Sequence, residues 1–241
     1  MKRDKVFAEK KDRIEPFAFN REVTAVFDDM LNRSVPLYQE SIERQAQMSQ
    51  AFFQEKTRIY DLGCSHGNLG VLIAEQFGSI PFTMVGVDSS YPMIEKYQAR
   101  LNKIENAHRI DLVCGLLEDI QIENASVVLI NLTLQFLALS KRDKLIEKIF
   151  QGLLPRGILL VTEKIIAPSL SINELEQDFY RRFKRENGYS ELEISQKRDA
   201  LEKVLIPETI EIHQQRFLDA GFSAVDVWVK WFNFASMIAI K

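Results

Sequence analysis

Residues 59–70 read IYDLGCSHGNLG, with an acid at Asp61 followed by Gly63, Gly67 and Gly70. A glycine-rich turn of this kind lets a ligand approach the backbone, because a side chain would fill the space. Residue types exclude two of the ligands such a turn can hold. A dinucleotide fingerprint needs G-x-G-x-x-G, and Ser65 stands where its second glycine belongs. A P-loop needs Gly-Lys-Ser/Thr, and none follows. What remains is D-x-G-x-x-x-G. A second acid, Asp88, closes the next apolar run, FTMVGVD, where its carboxylate can accept hydrogen bonds from both ribose hydroxyls of an adenosine ligand. That acid is shared by nicotinamide and S-adenosylmethionine (SAM) folds, so it does not choose between them. A bare turn-forming role for Gly63 and Gly67 stays open.

The remaining reactive inventory is sparse. The chain has three histidines and two cysteines. His66 reads as a solvated loop residue within reach of a ligand, and His108 and His213 as surface residues. Cys64 reads as a packing residue that leaves its backbone free, and Cys114 as buried in a strand. Two cysteines cannot by themselves build a disulfide framework or a zinc cluster, and no metal is expected. Asn131 ends the run ASVVLINLT; it can orient a ligand but is no base at neutral pH. Many SAM folds carry an acid just after the third strand, facing the adenine amine. Here Leu116 and Leu117 stand at that point, able to pack on the ring and bond its edge through the backbone. Glu118 and Asp119 read as solvated. Arg198 lies beside Lys197 on a charged helix. Neighbouring helical residues point to different faces, and an arginine turned inward would offer a fork for a carboxylate.

Placing these residues together requires alternating strands and helices. A mostly charged, loose arm over 1–16 precedes a helix from Asn20, its N-cap, to about Leu31, and a second helix over 38–53. Strands follow at 58–63, 82–88, 109–115, 125–133 and 157–165, with helices over 67–77, from about Pro92, and near 140–154, the last stopped by LPRG. The fourth strand is apolar enough to be buried on both faces. Residues 168–206 are helical and heavily charged, an insertion. A helix over 208–220 with Gly221 as its cap leads to SAVDVWVKWF and NFASMIAIK, an antiparallel pair turning near Asn233. The expected fold is α/β, a doubly wound SAM-methyltransferase-like sheet. It is mostly parallel, with a C-terminal antiparallel hairpin, N-terminal helices and a helical insertion. We read one SAM-binding domain over 1–241. It comprises an arm and helices (1–56), a cofactor-binding core (57–167), the insertion (168–206) and a C-terminal core hairpin (207–241).

Bulk properties agree with a small-molecule ligand. The 241 residues carry a net charge of −3, 46% hydrophobic and 27% charged residues, an ordinary globular mix. A long polynucleotide usually meets a basic balance, so no direct nucleic-acid contact is expected. MKRDKVFAEKKDRIEPF has no run suited to a secretion signal, and no window reaches ~20 apolar residues, so a cytoplasmic protein without a membrane span is expected.

The chain resembles the carboxy-S-adenosylmethionine synthases of the bacterial tRNA wobble-uridine modification pathway. RSVPLY (33–38), YDLGCS (60–65), IENASVVLINLTLQFL (122–137), RENGYSELEISQKR (185–198) and WFNFASMIAIK (231–241) carry the resemblance over nearly the whole length. It implies that SAM and prephenate give carboxy-SAM, phenylpyruvate and water. The sulfonium acidifies its methyl C–H bonds. Prephenate loses carbon dioxide and hydroxide as its ring aromatises, so it can supply both carboxyl group and base. That would explain why no protein base stands out. By position, the resemblance implies that Gly63, Cys64 and Ser65 line the cofactor, that Asp88 and Ser89 meet its ribose and adenine edge, and that Leu116 and Leu117 flank the adenine. Tyr38 and Asn131 would contact the carboxy-SAM end, and Arg198 would hold the new carboxylate; these last three are the expected catalytic residues. Leu116 departs from the acid of some relatives, which leaves the adenine contact open. A homodimer and a functional link to a tRNA carboxymethyltransferase are also implied. An ordinary SAM methyltransferase and a non-catalytic SAM-binding protein are the alternatives.

Overall fold

The computed structural model describes residues 2–104 and 109–241, so His108 lies outside the described residues. Seven strands form one sheet: β1 (Arg58–Leu62), β2 (Thr83–Asp88), β3 (Ile110–Cys114), β4 (Ala125–Asn131), β5 (Leu153–Lys164), β6 (Ala224–Trp231) and β7 (Phe234–Ile240). Their order is β3-β2-β1-β4-β5-β7-β6. Strands β1 to β5 pair in parallel, and β7 runs antiparallel to both β5 and β6. The chain reverses direction across the sheet between β1 and β4, the point where open α/β sheets bind ligands.

Side-chain alternation along the strands separates two cores. Ile59, Met84, Val127, Leu129, Ile158 and Leu160 face α1 (Arg21–Ser34), α2 (Tyr38–Phe52), α3 (Asn68–Phe77) and α4 (Tyr91–Leu101). Tyr60, Leu62, Val128, Ile130, Leu159 and Val161 face α5 (Leu139–Gly152) and α8 (Ile210–Ala220). Between β5 and α8 lie α6 (Leu170–Glu186) and α7 (Glu191–Leu201). Asn20 caps α1 by accepting the Val23 N–H at 3.0 Å, and Ser90 caps α4. Gly221 ends α8 at φ 109°, a conformation that favours glycine.

Four expectations need correction. The N-terminal arm is docked: Asp4 and Phe7 are buried, and Gln196 of α7 bonds the Phe7 and Glu9 carbonyls and the Lys11 N–H. LPRG does not separate α5 from the fifth strand; β5 starts at Leu153, and Pro155–Gly157 form an irregularity between the Ala125–Leu153 and Val127–Ile158 pairs. Cys114 is exposed, because β3 is an edge strand and Cys114 its last residue. His213 is buried on α8, packed near Phe217 and beside Arg216. Among the described residues no helix is long and apolar enough to cross a membrane.

Candidate functional site

A cavity of about 280 Å³ opens at the carboxyl ends of β1, β2 and β4. Tyr38, Gly63, Cys64, Ser65, Asp88, Ser89, Leu116, Leu117 and Asn131 all line it, together with Asp61, Asn68, Thr133 and the apolar residues Phe19, Phe27, Leu31 and Phe136. Residues far apart in the chain meet here because parallel strands deliver their carboxyl ends to one side.

The loop after β1 is held from both sides. Gly63 and Cys64 donate their N–H groups to the Val87 carbonyl at 2.8 and 3.0 Å. Gly63 has φ 85°, and a Cβ there would sit 2.1 Å from Thr133 Oγ1. Gly67 and Gly70 answer a different demand: added Cβ atoms would run into Tyr97. Two of the three glycines thus make room for a core tyrosine rather than for a ligand. Ser65 (φ 46°), Leu37 (φ 55°) and Leu132 (φ 56°) hold left-handed backbone without being glycine. Each adjoins or belongs to the cavity wall, at Tyr38, Cys64 and Asn131. Strain held by neighbouring structure is a common property of binding sites.

Two carboxyl groups face this space. Asp88 accepts the Ser65 N–H at 2.9 Å on Oδ2 and the Ser90 N–H at 2.8 Å on Oδ1. Each oxygen keeps a lone pair, so a diol remains a possible donor pair. Burial raises the Asp88 pKa against those two bonds. Asp61 is buried, and its Oδ2 has no hydrogen-bond partner. Burial, then the negative charge of Asp88, pushes its pKa up to about 7. An unpartnered buried carboxyl beside another fits a cationic ligand, which would restore its charged form. Sequence reading noted Asp61 at the strand end but gave it no ligand. The signal was a lone acid closing an apolar strand.

A polar chain braces the other wall. His66 is buried, not solvated; its Nε2–H meets Asp28 Oδ1 at 2.7 Å. Burial lowers the His66 pKa, so the ring is a neutral donor, while that bond holds Asp28 below the usual carboxylate range. Asn68 donates to Asp28 at 3.1 Å and to the Tyr38 hydroxyl at 3.2 Å. The histidine positions the wall and does not line the cavity. On the third side, Glu163 accepts the N–H groups of Thr133, Leu134 and Gln135 at 3.0, 2.8 and 3.1 Å. It thereby fixes the turn after Asn131. Burial pushes its pKa up to about 8 against those bonds. Sequence reading missed Asp28, Asn68 and Glu163; only Glu163 left a trace, as an acid inside GILLVTEKI.

Around the outer rim, Leu117 is buried and Leu116 is 53% exposed. Glu118 also lines the cavity and pairs with Lys141 at 2.7 Å. Arg198 is absent from this cavity. Its side chain is 65% exposed and bonds Asp199 at 3.0 and 3.1 Å. It borders a second space, of about 590 Å³, under α6 and α7. Among the described residues no cluster of three or more His, Cys, Asp or Glu side chains could hold a metal ion.

Comparison with known proteins agrees with this geometry. The family described as "Methyltransferase domain" matches residues 59–157. A carboxy-S-adenosyl-L-methionine synthase from Desulforapulum autotrophicum is 60% identical over 241 residues, covering 100% of this chain and 98% of the relative. One from Shewanella woodyi is 44% identical over 238 residues, covering 99% and 98%. Among solved structures, an O-methyltransferase family protein from Burkholderia thailandensis matches with a TM-score of 0.66 at 16% identity, covering 95% of this chain and 65% of that one.

Proposed function

The chain belongs to the carboxy-S-adenosyl-L-methionine synthase family, and from that premise we propose that prephenate supplies the carboxyl group it adds to SAM. It is an enzyme with SAM as substrate and carboxy-SAM as product. Prephenate gives up carbon dioxide and hydroxide and becomes phenylpyruvate. The hydroxide takes a methyl proton of SAM to form water, and the carbon dioxide bonds to the methyl carbon. Atoms and charge balance without a protein base.

The observation that carries this reading is the unpartnered Asp61 carboxyl in a cavity shared with Asp88. It suits a ligand bearing a sulfonium and an ammonium. Asp61 would take the ammonium, releasing its proton as it does so. Asp88 would accept the ribose hydroxyls, with Ser89 at the adenine edge. Gly63, Cys64 and Ser65 would offer close backbone, and Leu116 and Leu117 would flank the adenine. Tyr38 and Asn131 would orient the reacting end. What these residues contribute is position and exclusion of water, which bring the reacting atoms together before the carbon dioxide escapes.

Arg198 would hold the new carboxylate, from its own rim or from a second copy. Exposed Leu170, Leu175 and Phe179 on α6 support a homodimer. The product would serve a tRNA carboxymethyltransferase in the cytoplasm, without direct nucleic-acid contact here.

Prephenate labelled with 13C at its ring carboxylate tests the reaction. Mass spectrometry should find SAM carrying one labelled carboxylate in place of a methyl hydrogen. An unlabelled carboxylate would exclude prephenate as the donor. Unchanged SAM with prephenate, or a methylated acceptor, would favour the methyltransferase reading.

A further inference from the structure

The second cavity has the opposite electrostatic character. Lys164 and Lys184 reach into it from β5 and α6, with ammonium groups 5.3 and 4.4 Å from the centre of the same ring, Tyr180. Lys184 is 7% exposed. Among the described residues neither lysine has a carboxylate partner. Their neighbour Lys197 differs: it bonds Ser34 Oγ at 3.1 Å and lies 4.0 Å from Asp4, which ties it to the docked arm. Burial first, then the charges of Lys197, Lys164, Arg181 and Arg198, pushes the Lys184 pKa down to about 7. Burial lowers the Lys164 pKa as well. A buried and a half-buried ammonium group at one aromatic ring, neither paired with a carboxylate among the described residues, are costly for the free protein. An incoming anion would offset that cost.

The position of this cavity narrows the anion. It adjoins the first cavity through a wall common to both, made of Phe19, Phe27, Leu31, Leu132 and Phe136. That wall is apolar and aromatic, and in it Phe19 and Phe136 pack edge to face with ring centres 5.2 Å apart. A ligand lying along this wall needs an apolar ring against it and an anionic end among the lysines. Prephenate has two carboxylates, and they face different fates. The ring carboxylate leaves as carbon dioxide. Charge-assisted bonds to lysine would stabilise its anionic ground state and slow that loss, whereas apolar surroundings favour it. The lysines are therefore suited to the carboxylate that stays.

We propose that Lys164 and Lys184 bind the pyruvyl carboxylate of prephenate, with the ring packed against the shared Phe19–Phe136 wall and the departing carboxylate turned toward the SAM cavity. This rests on prephenate being the carboxyl donor. The two lysines are binding and positioning residues; no bond to them forms or breaks. The same pair would also retain phenylpyruvate, which keeps the pyruvyl carboxylate.

Lys164→Met and Lys184→Met test the site in the full-length protein. Each should raise KM for prephenate about 10- to 100-fold, the loss of one charge-assisted hydrogen bond. The Kd for SAM should stay within about twofold of wild type, as neither lysine lines that cavity. Tm should be equal or higher, because a buried cation has been removed. A merely structural role predicts the reverse pattern, a lower Tm with an unchanged KM. Lys184→Arg, which keeps the charge, should restore much of the affinity and guards against a variant that does not fold. Unchanged KM in folded Met variants would overturn the proposal. If wild-type protein does not turn over prephenate, the donor assignment fails, and calorimetric titration of SAM-loaded protein with phenylpyruvate then decides the site. Binding lost in the Met variants would support it, and no binding by wild type at millimolar concentration would overturn it.

Discussion

The two cavities share a wall and are built with opposite charges. One holds Asp61 and Asp88, both with raised pKa; the other holds Lys164 and Lys184, both with lowered pKa. Burial is the first cause in all four. Each cavity keeps ionisable groups away from their preferred charge until a ligand of the opposite sign enters. The difference teaches how one small domain face could accept a cation and a dianion for one reaction. The apolar wall common to both cavities keeps the two sets of groups from neutralising each other. Such stored desolvation is characteristic of functional sites and uncommon in a core built for stability.

The largest effect should come from removing Asp88. Asp88→Ala should weaken SAM binding about 100- to 1000-fold, since it deletes two charge-assisted acceptors and orphans the Ser65 and Ser90 N–H groups. Titration calorimetry measures it. A change below about fivefold would mean that the ribose is held elsewhere and would break the comparison at its acidic end.

The pH dependence should be opposite for the two ligands. Asp61, with a pKa of about 7 in the free protein, must ionise to meet a cation. SAM affinity should therefore fall about tenfold from pH 8 to pH 6, and that fall should vanish in Asp61→Asn. Lys184, with a pKa of about 7 and facing Lys164, Lys197, Arg181, Arg198 and Tyr180, must be protonated to meet an anion. Prephenate affinity should weaken as pH rises above about 7. Calorimetry in buffers of different ionisation enthalpy should register proton release with SAM and proton uptake with prephenate. The same sign for both would end the idea of two opposed cavities.

The smallest effect on turnover concerns a buried ionisable group in neither cavity. Burial lowers the His213 pKa to about 4 from its ordinary 6.5. Its folded pKa lies below the unfolded one, so the stability tied to its neutral form is complete above about pH 6.5 and is lost as pH falls toward 4. The stability advantage of wild type over His213→Gln should shrink by up to about 3 kcal/mol between pH 7 and pH 4. Denaturant melts at the two pH values check this. Turnover at pH 7 should differ by less than about twofold. A large loss of turnover would place His213 in the function and sharpen the contrast differently.

Much of the site was legible because the relevant signals are local. Asp61, Gly63 and Asp88 close apolar strands, and parallel strands must end together. Once the strand order follows, so do Asn131 and Leu117. Cys114 and His213 were misread for a physical reason. An apolar run does not reveal that its strand lies at the sheet edge, and a helix does not reveal which neighbour covers a given face. The glycines illustrate a subtler limit. Their spacing suggested ligand approach at all three, yet Gly67 and Gly70 are required by Tyr97, some thirty residues further on.

The amino-acid sequence by itself determined the alternation of strands and helices, the caps at Asn20 and Gly221, the acid-glycine loop, and the family to which the chain belongs. These are set by periodicity, backbone preference and long identical strings. Only the tertiary structure decided that His66 turns to Asp28, that Glu163 fixes the turn after Asn131, that the charged arm docks on Gln196, and that Lys164 and Lys184 both approach one tyrosine ring while Arg198 borders their cavity and not that of Asp61. Those outcomes depend on which distant surfaces exclude water from which side chains. Burial of that kind is a property of the packed chain and is written in no single segment of it.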